Sequence, residues 1–200
     1  METPVLLNPY RPGAGHPPPY LAGRDQEIEA FSKLLEQQTI IKNCILTGLR
    51  GVGKTVLLDE FKNVAISNGW LWTSNEISEA FSITEERLCY RIMTDLSMVT
   101  SGLAIKKAEE KKIGFTNEKT LTETFLNFKI IEHLYKNAPG LESDKLKHVL
   151  EYAWDRIKKS SQVRGLIFAY DEAQSLSDYP KKQTYALTML LDVFQSIQRK

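Results

Sequence analysis

The sequence predicts an α/β protein built on a parallel sheet, and three observations carry that prediction. Short apolar runs at 44–47, 70–75 and 166–170 read as strands. Amphipathic helices stand between and beside them. The first run opens into the glycine-rich stretch Gly48-Leu49-Arg50-Gly51-Val52-Gly53-Lys54-Thr55. Alternating strands and helices favour a parallel sheet, because a parallel pair needs a crossover element between its strands.

In chain order, residues 1–20 hold six of the eight prolines and almost no charge, so an extended arm is expected, with Leu6, Leu7, Tyr10 and Tyr20 available for docking. Asp25 is the expected N-cap of a helix carrying Ile28, Phe31, Leu34 and Leu35. After the strand at 44–47 and the glycine loop, a helix from Lys54 to about Asn68 aligns Leu57, Leu58, Phe61, Val64 and Ala65, and Gly69 suits its C-terminus. The strand at 70–75 follows. Ser82 with Glu85 reads as a capping box for a helix to about Val99, with Leu88, Ile92 and Leu96 inward.

Residues 104–118 mix both charge signs without an apolar stripe and read as a solvated helix end or loop. A helix from Thr120 to Tyr135 is expected next, with Thr120 and Glu123 as its capping box and Leu121, Phe125, Phe128 and Ile131 inward. Pro139-Gly140 interrupts, and a helix at 143–159 carries Leu146, Val149, Leu150, Ala153, Trp154 and Ile157. The run Leu166 to Tyr170 has the character of a strand buried on both faces. A last helix, from Pro180, carries Leu187, Leu190, Leu191, Phe194 and Ile197.

Composition excludes some functions. With 26 basic and 25 acidic residues the net charge is +1, so no global field recruits nucleic acid or anionic lipid. No apolar run approaches a membrane span and the N-terminus has no signal core, so a cytoplasmic protein is expected. Cys44 and Cys89 both occupy apolar positions and read as buried, reduced thiols. His16, His133 and His148 have no metal-ligand spacing, and Trp70, Trp72 and Trp154 read as packing residues.

The glycine loop carries the chemistry. A polyphosphate has to be wrapped by backbone N–H groups, and Gly48, Gly51 and Gly53 let the chain fold into such a nest with no side chains in the way. The helix that follows points its free N–H groups and positive dipole end at the same phosphates. Val52, Lys54, Thr55 and Val56 complete the expected cradle, with Lys54 reaching the β- and γ-phosphates and the Thr55 hydroxyl a ligand of Mg²⁺. Arg50 either touches a phosphate or a neighbouring subunit, or faces solvent. The third strand ends in Asp171-Glu172, at the carboxyl end where parallel sheets bind ligands. Asp171 is expected to hold the Mg²⁺ through its water shell, and Glu172 to orient the attacking water.

The loop Gly48 to Thr55 and the pair Asp171-Glu172 resemble the Walker A and Walker B motifs of the AAA+ ATPases. Leu21-Ala22-Gly23-Arg24-Asp25 resembles the Gly-Arg motif that opens the nucleotide domain in the origin-recognition-like and STAND-like prokaryotic branch. The resemblance implies a three-layer αβα P-loop NTPase fold with strand order 5-1-4-3-2. It implies a base pocket lined by Tyr20, Leu21, Ala22 and Gly23, with Arg24 either part of it or an ion pair at the helix start. With only three strands found, residues 21–200 are expected to be a nucleotide-binding domain cut short before its sensor strand, with 85–160 a helical insertion.

The activity implied is ATP hydrolysis driving a conformational change. ATP is favoured over GTP because no Asn-Lys-x-Asp motif is present. Two alternatives stand beside it: a nucleotide-dependent switch or scaffold without turnover, and a DNA-associated ATPase of replication, transposition or defence. Partners implied are ATP or ADP, a homo-oligomer or partner protein, DNA by family analogy alone, and no membrane.

Overall fold

The computed structural model describes residues 21, 23–37, 40, 42–77, 84–113, 116–160 and 162–198; for 104–125 and 160 the description is limited to the backbone. The expected arm at 1–20, together with Tyr20, Ala22 and Ser82, lies outside these residues. The chain divides into two compact units, Met1–Asn68 and Gly69–Lys200.

The first unit contains helices α1 (Asp25–Leu35) and α2 (Lys54–Ser67). They pack through a parallel ring stack, Phe31 on Phe61 with centroids 4.2 Å apart and planes 6° from parallel. Leu35, Leu57 and Ala65 are buried around it. Three expectations are corrected. Asp25 is the first residue inside α1, not its cap: Arg24 holds the N-cap position, and no side chain caps the helix. Residues 42–49 form no strand. An apolar run becomes a strand only when a neighbour takes its N–H and C=O groups, and among the described residues none pairs with this one. Ile45 and Leu49 are accordingly exposed, and so is Cys44, against the expectation of a buried thiol.

In chain order the second unit runs β1 (Trp70–Glu76), α3 (Glu85–Thr100), β2 (Ala104–Ile113), β3 (Thr116–Phe125), α4 (Phe128–Asn137), α5 (Glu142–Ser160), β4 (Gly165–Asp171) and α6 (Ala186–Gln198). Strands β1 and β4 pair in parallel, Trp70 opposite Gly165 through Glu76 opposite Asp171. The core lies among the helices: Leu88, Ile92, Met93 and Leu96 of α3 meet Ile131, Leu146, Val149, Ala153, Met189 and Val193. No described helix is long and apolar enough to cross a membrane.

Local chemistry explains the boundaries that moved. Thr84, not Ser82, caps α3, its hydroxyl accepting from Arg87 N. The region expected to be a loop and then a helix from Thr120 is an antiparallel hairpin in full register from Ala104 opposite Phe125 to Ile113 opposite Thr116. The register sets Lys106 against Glu123, Glu110 against Lys119 and Lys111 against Glu118. Opposite charges across a ladder favour pairing, and this replaces the helical capping box expected of Thr120 and Glu123. The following helix starts at Phe128, where the Asn127 side chain accepts from Ile130 N. Residues 85–160 are therefore three helices plus a hairpin, not helix alone. The last helix starts at Ala186, not Pro180. Asp178 reaches forward to accept from Leu187 N and Thr188 N at 2.9 and 3.1 Å, and Pro180 opens a short 3₁₀ turn instead.

Candidate functional site

The expected site residues fall into two groups, one in each unit. In the first unit, Gly51 and Gly53 both take φ of 82°, the left-handed region where a side chain is strained. A Cβ at either would meet no atom within 4 Å, so the space beside both glycines is open. Gly53 is the N-cap of α2, and its carbonyl accepts the first helical bond, from Leu57 N at 3.0 Å. Lys54, Thr55 and Val56 make up the first turn of the helix ahead of that bond.

Lys54 curls back over the loop, donating from Nζ to the carbonyls of Gly48 at 3.0 Å and Leu49 at 2.9 Å. Arg24 joins the Gly-Arg segment to the same loop: Nη2 donates to the Val52 carbonyl at 2.9 Å while Nη1 pairs with Glu27 at 2.7 Å. The ion pair at the helix start is thus present, and the loop contact is an addition that spacing alone did not reveal. Leu21 is half-buried, Gly23 takes φ of 73°, and Thr55 is exposed.

In the second unit, β4 delivers Asp171 and the chain turns sharply at Glu172. Glu172 adopts φ 53° and ψ 34°, a left-handed conformation uncommon for a residue with a side chain. Local bonds hold it there: Glu172 N donates to Asp171 Oδ1 at 2.9 Å and Ser175 N to the Glu172 carbonyl at 3.0 Å. Gln174 Nε2 donates to Glu172 Oε2. The Asp171 carbonyl accepts from Ile77 N at 3.3 Å, extending the ladder one step past β1. The two residues are thus adjacent in sequence, the first ending the strand and the second in the turn. Gln174 acquires a part in the site that no spacing rule predicts.

The fit to the groups implied by the motifs can be tested on the loop itself. Open left-handed glycines, a helix N-terminus and an ammonium turned onto loop carbonyls suit a polyphosphate anion. Among the described residues, no three His, Cys, Asp or Glu side chains gather to hold a metal ion. That is no bar to Mg²⁺, which is commonly held by one or two protein ligands plus phosphate and water. No protein-family model matches the chain, and no curated protein or solved structure matches it.

Proposed function

We propose that this chain is a Mg²⁺-dependent ATP-binding and hydrolysing module of the AAA+ kind. The observation that carries the reading is the loop: Gly51 and Gly53 left-handed and open at the start of α2, with Lys54 turned onto the Gly48 and Leu49 carbonyls. The sheet supports it. In strand order 5-1-4-3-2, the strand ending in the acidic pair neighbours strand 2, and here β4 lies parallel to β1.

In this reading the loop amides and the first N–H groups of α2 bind the phosphates. Lys54 exchanges two neutral carbonyls for phosphate oxygens, and charge-assisted bonds of that kind are roughly twice as strong as neutral ones. Leu21 and Gly23, with Tyr20, serve the base. Thr55 and Asp171 are the residues that would hold Mg²⁺, and the ion would supply charge neutralisation at the phosphates. Glu172 orients the attacking water and accepts its proton. The left-handed turn fixes the origin of that side chain, and Gln174 steadies one carboxylate oxygen.

One observation favours a second reading, a nucleotide-holding switch without turnover. The Glu172 carboxylate already accepts a hydrogen bond from Gln174, and an engaged carboxylate is a weaker base.

Calorimetric titration with Mg·ATP and Mg·ADP, followed by phosphate release from the same sample, separates the two. The expected result is binding with turnover in the wild-type chain, no binding in Lys54→Ala, and binding without turnover in Glu172→Gln. Unchanged affinity in Lys54→Ala would overturn the phosphate-loop assignment, and binding without turnover in the wild type would select the switch.

A further inference from the structure

Against the last residues of β1 and β4 lies a buried polar cluster that the proposed chemistry does not use. Asp95, on α3, is 0 % exposed. Carboxylates are almost never this deep unless paired. Here Asn75 Nδ2 of β1 donates to Asp95 Oδ1 at 2.6 Å, and Arg91 Nε approaches Oδ1 at 3.1 Å and Oδ2 at 3.3 Å. Tyr170 of β4 stands directly opposite Asn75 in the ladder. Its hydroxyl is buried beside the same carboxylate without closing a hydrogen bond.

The placement relative to the acidic pair gives the cluster its meaning. Tyr170 immediately precedes Asp171, and Asn75 immediately precedes Glu76, the residue opposite Asp171. Successive strand residues face opposite sides of a sheet, so the side chains of Asn75 and Tyr170 share the face covered by α3 while that of Asp171 takes the other. One carboxylate thus meets both strands a single residue short of the turn. An apolar side chain would fill this position without the cost of burying a charge. What it would not supply is a directional tie, and a parallel pair of two strands has few other devices to fix its end.

We propose that Asp95 is a positioning residue for the acidic pair. Oriented by Arg91, it pins Asn75 and abuts Tyr170, and so sets the height at which β4 presents Asp171 and Glu172. The functional part of this inference rests on the role given to those two residues above; the structural part does not.

The test is amide hydrogen exchange on the full chain, with ATP turnover measured alongside, in Asp95→Asn, Asn75→Ala and the double variant Asp95→Asn/Arg91→Met. Expected in Asp95→Asn is faster exchange at Ile77, Glu172 and Ser175, whose N–H groups hold the end of the ladder and the turn. Amides of α5 should keep their protection, since local opening need not follow global stability. Turnover should fall on the order of 100-fold, as misplacement of a reacting group by about 1 Å can cause. Nucleotide affinity should stay unchanged.

Asn75→Ala should loosen the same three amides while leaving the Asp95–Arg91 pair in place, so the proposal stays testable if Asp95→Asn does not fold. Exchange that rises uniformly through α5 and α6, or not at all, would overturn it. So would full recovery in the double variant, which would assign the effect to the Arg91 charge and not to the Asp95 tie. If the wild-type chain neither binds nor hydrolyses ATP, the functional reading fails, while the exchange pattern still decides whether Asp95 positions the strand end.

Discussion

Arg24 donates a 2.9 Å hydrogen bond to the backbone carbonyl of Val52, 28 positions further along the chain. The bond ties the residue that precedes α1 to the middle of the glycine loop, and Glu27 orients the guanidinium from the other side. It crosses from one sequence motif to another, so a role for the Gly-Arg segment follows from geometry: it steadies the loop.

Replacing Arg24 should therefore weaken nucleotide binding without abolishing it. A hydrogen bond to a charged group contributes about 1.5–3 kcal/mol, and partial exposure places this one at the lower end. Arg24→Ala is expected to lower Mg·ADP affinity roughly tenfold, the equivalent of about 1.4 kcal/mol. Calorimetric titration checks the affinity, and an unaltered helical circular dichroism spectrum would show that α1 and α2 persist. Affinity equal to that of the wild type would limit Arg24 to its ion pair with Glu27.

Gly165 is a second position where the neighbour decides. A Cβ there would lie 2.0 Å from Cζ3 and 2.4 Å from Cε3 of Trp70, the residue opposite it in the β1–β4 ladder. Gly165→Ala must displace the indole or part the strands, and overpacking of this kind typically costs about 1–3 kcal/mol. Denaturant unfolding should show that loss together with a changed tryptophan emission. A neutral substitution would mean that Trp70 swings aside freely.

These cases show what the sequence could and could not convey. Strands at Trp70–Glu76 and Gly165–Asp171 and the helices with clear apolar stripes were legible, because each pattern reports burial of one face. The run at 44–47 has the composition of a strand but no ladder partner among the described residues, and a partner is not a property of the run. The hairpin was missed because its residues of opposite charge are placed across strands by the register, Lys111 opposite Glu118 and Lys106 opposite Glu123, separations that no helical spacing rule examines. The usable signal was the alternation Thr120, Thr122, Thr124 with a glycine at 114 between the two runs. At the site, the residue types of the loop and the acidic pair could be read directly. The bonds of Arg24 to Val52 and of Asn75 to Asp95 depend on tertiary approach and could not, and the bond of Gln174 to Glu172, two residues apart, depends on the left-handed turn between them.

The two cysteines should differ sharply as reagents. Cys89 is buried against Met189, and burial, followed by the charges of Glu142, Glu85 and Glu86, pushes its thiol up to about 12. Cys44 is exposed, although the protein around its sulfur also raises its thiol above the ordinary range. Because the thiolate is the reactive form, titration of the native protein with a disulfide reagent near pH 8 should modify Cys44 alone. The second equivalent should appear only on unfolding, and rapid reaction of both thiols in the native state would show that the Cys89 core opens readily.

Stability should carry the mark of Asp95. Burial raises its pKa, against the opposing pull of Arg91, the nearby Tyr170 hydroxyl and the hydrogen bonds from Arg91 and Asn75. A folded carboxyl that holds its proton more tightly than the unfolded one, at about 3.9, makes the folded state the better proton binder between the two values. In that window stability falls as pH rises, and the loss is complete above the folded pKa. Asp95→Asn cannot ionise and lacks this slope. Thermal unfolding of both proteins from about pH 4 to pH 8 should then show the wild type losing ground to the variant as pH rises from the acid end, and a constant difference beyond. A difference that grows in the wild type's favour with rising pH would mean that Arg91 outweighs burial, and that the carboxylate is held charged by its partner at every pH where the protein is folded.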